Sequence, residues 1–440
     1  MKKVKGMRDF DSCLMSDKDF IVKKIEEVFS SFNFRKIDTP VMEYFDTLTK
    51  QGTGGDEIEN QTYNFYDFSK RRIGLRYDLT VPLARYLSEN SNFAIPQKLQ
   101  RIGKVWRYED TKKGRYREFS QYDVDIVGSL DMTADAQILF CAYCALKNTG
   151  LSGFTFQINN RKLTDGMLEY LGVKGDKLKT GVMRTIDKLE KLSRDELYRE
   201  FEKYNIKKTK ADKILDCFEL KGSVNGVLKS IKEKYSFENN ETASEGLVEL
   251  EKLGEYLSSY GMNKVCEYNL SIVRGLDYYT GCVFETKIKG ERQLGSICSG
   301  GRYDKMLGSF MNKDVPCTGI SIGVDRLLDY FVSKKKEENK LMNKNAIFVA
   351  SADVQYSNRA IELAAILRDK LKSKDAIIET DVTGRKLASQ IKYADREKIR
   401  YVIIVGKDID NLKKVTFKDM EKHCEKQVSA DLKGIEKMIE

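Results

Sequence analysis

Arg101-Ile-Gly-Lys-Val-Trp-Arg107-Tyr-Glu109 and Glu118-Phe-Ser-Gln121-Tyr-Asp-Val-Asp125-Ile-Val-Gly128 decide the reading of this chain. They are joined by Asp110-Thr-Lys-Lys-Gly-Arg115-Tyr-Arg117. The pattern predicts two strands around a polar loop that contains glycine. Side chains alternate faces along a strand. Gln121, Asp123 and Asp125 therefore share one face, with Tyr122, Val124 and Ile126 on the other. In the first strand Arg101, Arg107 and Glu109 face one way, and Ile102, Trp106 and Tyr108 the other. A surface hairpin with one wet face shows the same alternation and is the commoner case. A pocket floor for a ligand with both charges is the sharper reading. It is favoured by the loop cations Lys112, Lys113, Arg115 and Arg117, which suit phosphate oxygens.

The composition narrows the chemistry. The 440 residues suffice for two or three domains with a large core. With 33% charged residues, 41% hydrophobic residues and 4 Pro, the balance is that of a folded chain. The net charge of +10 fits contact with nucleotides or nucleic acid, and equally fits plain solubility charge. No apolar run reaches the length of a membrane span. The N-terminus lacks the apolar core of a signal peptide, and Asp9 and Asp11 argue against a transit peptide, so a cytoplasmic location is expected. Cys141-x-x-Cys144 has no second pair at zinc spacing, so free thiols and no tightly bound protein metal are expected. The single histidine, His423, reads as a surface residue. Its solitude excludes serine-hydrolase triads and His-rich metal sites. The chemistry must run on Arg, Lys, carboxylates, Gln, Tyr and backbone.

Apolar spacing predicts a helix over 17–32, then a strand over 34–43 with Pro40 inside it. Gln51-Gly-Thr-Gly-Gly-Asp56 reads as a turn, because no Lys-Ser/Thr follows to make a phosphate loop. Asp78 and Thr80 are two apart and could together accept from an ammonium group. Capping a helix over 80–90 is the competing reading. A helix over 131–146 and a strand over 155–158 follow. Positions 173–261 are rich in Lys and Glu with apolar residues at helical spacing, which predicts an inserted, solvated helical module. In Arg274-Gly-Leu-Asp-Tyr278-Tyr279, the glycine permits close approach, the arginine can fork onto an anion, and the tyrosines offer ring walls with hydroxyl tips. Positions 333–344 form a charged, apolar-poor linker. Beyond it, strands over 346–350, 376–380 and 401–405 alternate with helices over 360–371 and 386–397, which predicts a parallel or mixed sheet.

These stretches resemble a known family. Trp106-Arg107-Tyr108-Glu109 with Arg115-Tyr-Arg-Glu-Phe-x-Gln121 resembles motif 2 of class II aminoacyl-tRNA synthetases. Arg274-Gly-Leu-Asp-Tyr-Tyr and Ser299-Gly-Gly-Arg-Tyr-Asp304 resemble signatures of the histidyl-tRNA synthetase family, of the archaeal and eukaryotic type that carries Asp78-Leu-Thr. Gly319-Ile-Ser-Ile-Gly-Val-Asp-Arg326 resembles motif 3. The resemblance implies an α+β catalytic domain over 1–332, with an antiparallel sheet flanked by helices and a helical insertion at about 173–261. It also implies an α/β anticodon-binding domain over 345–440, a homodimer built through motif 1, here the helix over 17–32 and the Pro40-bearing strand over 34–43, and no extra N-terminal tRNA-binding extension. The implied reaction activates histidine with ATP, as its Mg²⁺ complex, and transfers it to the 3′ end of tRNA(His). Carried onto this sequence, Arg107 and Arg274 are catalytic and meet the α-phosphate and carboxylate. Asp78, Thr80 and Gln121 hold the α-ammonium end. Asp125, Tyr278 and Tyr279 read the imidazole. Arg107, Glu109, Arg115 and Arg326 bind ATP, with Glu109 on the adenine or metal side. The segment 299–304 is implied to be a glycine-rich turn beside the amino-acid pocket. Synthetases for Gly, Thr or Pro, a paralogue that has lost aminoacylation, and a plain nucleic-acid-binding module are the alternatives. The Arg-Gly-Leu-Asp-Tyr-Tyr run and the three motif arginines argue against them.

Overall fold

The structure is a computed structural model. It describes residues 1–50, 55–90, 92–112, 114–237, 240–273, 278–311, 313–335, 343–371, 376–411 and 413–439. The chain divides into two compact units, Met1–Ser333 and Lys334–Glu440.

The strands of the first unit are β1 (Arg35–Lys36), β2 (Met42–Tyr44), β3 (Asn64–Tyr66), β4 (Arg72–Leu75), β5 (Gln97–Trp106) and β6 (Glu118–Val127). They continue with β7 (Phe154–Asn160), β8 (Lys221–Gly222), β9 (Cys266–Asn269), β10 (Cys282–Ile288), β11 (Cys298–Arg302) and β12 (Cys317–Gly323). Nine of them form one sheet in the order β1-β5-β6-β12-β11-β10-β7-β9-β8. It is antiparallel apart from β1 on β5 and β9 on β7.

The hairpin predicted from sequence is β5–β6, paired from Gln97↔Val127 to Trp106↔Glu118. Its first strand begins four residues earlier than expected and stops at Trp106, so Arg107 and Glu109 leave the alternation and belong to the loop. The apolar face behaves as its periodicity requires. Tyr122, Val124 and Ile126 pack against Ile21, Ile25 and Phe29 of the helix Ser12–Ser31 and against the helix Met132–Asn148.

Four expectations change. The strand expected over 34–43 is two short strands in different sheets. β1 extends the large sheet, β2 joins β4 and β3 in a small one, and Pro40, with no N–H to give a ladder, lies between them. Of the turn expected at 51–56, positions 51–54 lie outside the described residues, and 55–56 open the helix Gly55–Gln61. The segment 299–304 is strand β11 through Arg302, inside the sheet, rather than a turn. The helical module does not stand off in water. Val182, Phe201, Leu250 and Leu253 belong to the same buried core as Phe156 and Leu163 of the sheet side. The helix Glu241–Ser259 lies so close to the helix Arg161–Tyr170 that a Cβ on Gly166 would come 2.4 Å from that of Ala243.

In the second unit β13 (Asn343–Ser351), β14 (Ile377–Thr380), β15 (Ile399–Val405), β16 (Lys414–Asp419) and β17 (Cys424–Ser429) form a mixed sheet, ordered β14-β13-β15-β16-β17. β13, β14 and β15 are parallel and the last two strands form an antiparallel hairpin. The predicted stripe Ala360, Leu363, Ala364, Leu367 is the buried face of the helix Ser357–Lys370. The hairpin was missed because its strands are mostly polar; His423 is exposed in its turn. Most of the expected linker, 336–342, lies outside the described residues.

Candidate active site

The charged face of the β5–β6 hairpin is buried rather than turned to water, which overturns the reading of a wet surface hairpin. Arg101, Asp123 and Asp125 are each under 5% exposed. Arg101 stands opposite Asp123, and Asp125 opposite Leu99, so all three point to one side. Arg101 Nη2 donates to Asp125 Oδ2 at 2.5 Å, and the Tyr303 hydroxyl donates to Asp125 Oδ1. On the other flank Asp125 faces Gly319 of β12, where a Cβ would lie 1.9 Å from Oδ1. Gly319 in turn pairs with Gly301 of β11, where a Cβ would come 2.9 Å from the Tyr279 ring. Glycine at these two strand positions is thus a requirement for space.

Tyr278 and Tyr279 close the pocket, with ring centroids 4.8 Å apart, and Tyr278 meets Tyr303 edge-on at 5.8 Å. Burial raises both phenols, and the Tyr278 hydroxyl is hydrogen-bonded to Thr80 and Tyr279. Thr80 thus faces the tyrosine pair.

The two oxygens of Asp78 differ in their surroundings. Its Oδ1 accepts from the backbone N–H of Thr80 and Val81, at 3.0 and 2.9 Å, and so satisfies the first two donors of the helix Thr80–Glu89 from the residue before its N-cap, Leu79. Its Oδ2 is buried without a hydrogen-bond partner among the described residues. The same is true of Asp123 Oδ1, Gln121 Oε1, and Nε and Nη1 of Arg101. Gln121 Nε2 donates to Ser321 Oγ at 2.8 Å, and Ser321 is also bonded to Asp123. Burial pushes Asp78 up, against the backbone donors and Arg107. Burial also pushes Asp123 up to about 7, aided by the nearby charges of Asp125 and Asp78 and opposed by Arg101. Buried polar atoms are almost always paired, so orphan acceptors at one place mark where a ligand with donors fits.

Beside this pocket is a cationic one. Arg107 Nε donates to the Tyr77 carbonyl, and the guanidinium stacks 4.2 Å over the Tyr77 ring and 5.3 Å from that of Phe119. Arg326 is no exposed helix residue. Its Nε donates to the Gly114 carbonyl at 3.0 Å and its Nη1 to that of Ser296, so it reaches across to the loop between β5 and β6. Burial lowers its pKa, and repulsion from Arg107 and Arg115 adds to this, offset by Glu109 and Glu285. Three guanidinium groups close enough to repel one another suit a polyanion. Glu109 is ion-paired with Arg115, Nε to Oε2 at 2.6 Å. In this conformation Glu109 is committed to Arg115, and a role toward adenine or a metal would require that pair to open.

Arg274 lies within 274–277, outside the described residues. Arg101, Asp123, Tyr303 and Glu285 were not assigned from sequence. The alternation places Arg101 and Asp123 on the charged faces of the hairpin, but it gives neither of them a partner or a role.

A profile of the family described as histidyl-tRNA synthetase matches residues 6–327, and one described as anticodon binding domain matches 344–440. The chain belongs to the histidyl-tRNA synthetase family. A histidine–tRNA ligase of Clostridium tetani is 38% identical, covering 92% of this chain and 91% of the relative. One of Thermococcus kodakarensis is 34% identical over 100% and 98%. The solved histidyl-tRNA synthetase of Nostoc sp. PCC 7120 superposes with a TM-score of 0.84 at 29% identity, covering 99% of both chains. Bacterial and archaeal relatives of the family are thus about equally similar.

Proposed function

We propose that this chain is a working histidine–tRNA ligase whose amino-acid pocket is the β5–β6–β12–β11 floor under Tyr278 and Tyr279. The observation that supports this reading most is the group of buried acceptors without partners, Asp78 Oδ2, Gln121 Oε1 and Asp123 Oδ1, beside three arginines. An α-ammonium group has three donors and needs such acceptors. Asp125 would read the imidazole from the position that Arg101 and Tyr303 give it, with the tyrosines as walls.

The reaction needs no general base. The histidine carboxylate is ionised at neutral pH, and one of its oxygens attacks the α-phosphorus of ATP. A carboxylate–phosphorus bond forms, the bond from the α-phosphorus to the bridging oxygen breaks, and Mg²⁺-pyrophosphate leaves. The protein positions the reactants and offsets phosphate charge. Arg107 and Arg274 would serve the α-phosphate and carboxylate, and Arg326 and Arg115 the outer phosphates. The terminal ribose hydroxyl of tRNA(His) then attacks the carbonyl carbon of the histidyl-adenylate; the bond from that carbon to the phosphate oxygen breaks, AMP leaves and the hydroxyl proton is released. The helical segment 173–261 is suited to the acceptor stem and the second unit to the anticodon end.

We also propose a homodimer. Val41, Met42, Tyr44, Phe65, Tyr66 and Phe68, on or beside the small sheet β2-β4-β3, are large, apolar and exposed. Such a patch is suited to a second copy. Nine unpaired cysteines accord with work in the reducing cytoplasm. Incubation of the purified chain with ATP, radiolabelled histidine and bulk tRNA tests the reading. Acid-precipitable, base-labile label is expected; none, from a folded enzyme, would refute it.

A further inference from the structure

The segment before the first helix crosses two parts of the ATP site. Arg8 Nη1 donates to Asp329 Oδ1 at 2.6 Å and to the Tyr116 hydroxyl at 3.0 Å, and Nη2 donates to Asp325 Oδ1 at 3.0 Å. The guanidinium also lies 4.2 Å over the Tyr116 ring and 4.5 Å from that of Phe10. Asp325 and Asp329 flank Arg326 on the helix Val324–Lys335, and Tyr116 belongs to the loop that carries Arg115. Asp325 is further tied to the start of β6, through the Ser120 N–H and through Lys18, which donates to Ser120 Oγ at 2.7 Å.

The backbone adds a second connection. Gly6 O accepts from Arg117 N at 2.8 Å, and Arg117 O accepts from Arg107 N at 3.0 Å. Gly6 is therefore the first rung of a ladder that ends on the backbone of Arg107. Its φ is +84°, and a Cβ there would come 2.7 Å from the side chains of Arg117 and Thr111.

We propose that Gly6–Arg8 is a strap that positions Arg107, Arg115 and Arg326 for ATP, with Arg8 as the positioning residue. The inference rests on the assignment of those arginines to ATP. Three cations that repel one another do not hold a common geometry unaided, and each is reached from this strap through one intermediate residue. None of the strap's contacts reaches Asp78, Asp123 or Asp125, so its effect belongs to ATP and not to histidine.

Pyrophosphate exchange, with KM measured separately for ATP and histidine, tests this. Arg8→Gln removes the charge and the fork, and Asp329→Asn weakens the same contact from the other side. Small misplacements of positioning groups carry large kinetic costs, so the KM for ATP should rise about tenfold while that for histidine stays within about twofold. Arg8→Lys should recover part of the loss, because one ion pair survives without the fork. The double variant should be little worse than the worse single one, since both act on one contact. Should Arg8→Gln fail to fold, Tyr116→Phe removes two hydrogen bonds, the one accepted from Arg8 and the one donated to Asp329 Oδ2, keeps the ring under the guanidinium and carries the same test. Equal rises in both KM values, a loss that follows thermal unfolding alone, or no change would overturn the strap. Wild-type enzyme that exchanges with no histidine would instead overturn the functional reading.

Discussion

Asp78 shows how a residue can be legible and still ambiguous. The sequence offered a helix cap or an ammonium receptor, and the carboxylate divides, one oxygen on the helix and one orphaned in the pocket. Strand alternation foretold that Gln121, Asp123 and Asp125 share a face. It could not foretell the partners of that face, because Tyr303, just past β11, and Gly319 of β12 arrive from nearly two hundred residues away. Asp123 yields a test at this scale. Burial raises its pKa to about 7, above the ordinary carboxylate range, and the partners acting on it are Arg101, Asp125, Ser321 and Asp78. Between the two values the folded chain keeps a proton that the unfolded chain has released. Folding then takes up a proton, and stability contributed by this group falls as pH rises through the window. In the ligand-free enzyme the drop in Tm from about pH 5 to about pH 7.5 should therefore be smaller in Asp123→Asn than in wild type. An unchanged slope would mean that Asp123 ionises normally in the folded state.

Among the elements, β5–β6 was readable because a period of two with one apolar face leaves few alternatives, and its end at Trp106 was not, because loop chemistry begins without a breaker. Ser299-Gly-Gly-Arg-Tyr-Asp misled for a physical reason. Adjacent glycines usually mark a turn, but here Gly300 lets the backbone of β12 lie close and Gly301 leaves room for the Tyr279 ring, as Gly319 of β12 does for the Asp125 carboxylate. Gly319→Ala tests that account. A Cβ only 1.9 Å from Asp125 Oδ1 and 2.6 Å from its Cγ must displace the carboxylate. Overpacking of this kind costs about 1–3 kcal/mol, and Asp125 should lose its registration with Arg101 and Tyr303. The KM for histidine should rise well above that for ATP in steady-state exchange. A folded variant with wild-type KM for histidine would show that the glycine row does not shape the pocket.

At the level of the whole molecule, the change from a charged, apolar-poor stretch at 333–344 to alternating strands and helices beyond it was plain, since the second pattern has its own periods. The place of the helical segment 173–261 was less so. A polar outer face reads alike on an appendage and on a helix with its other face in a shared core, and the burial of Val182, Phe201 and Leu250 with Phe156, together with the packing of Gly166 on Ala243, distinguishes them. The central claim is that one pocket selects histidine and activates it with ATP. ATP–pyrophosphate exchange by the full chain, run against each of the twenty amino acids in turn, tests it most directly. Exchange with histidine alone is the expected result. Exchange with a different amino acid, or with none while the chain is folded, would contradict the account.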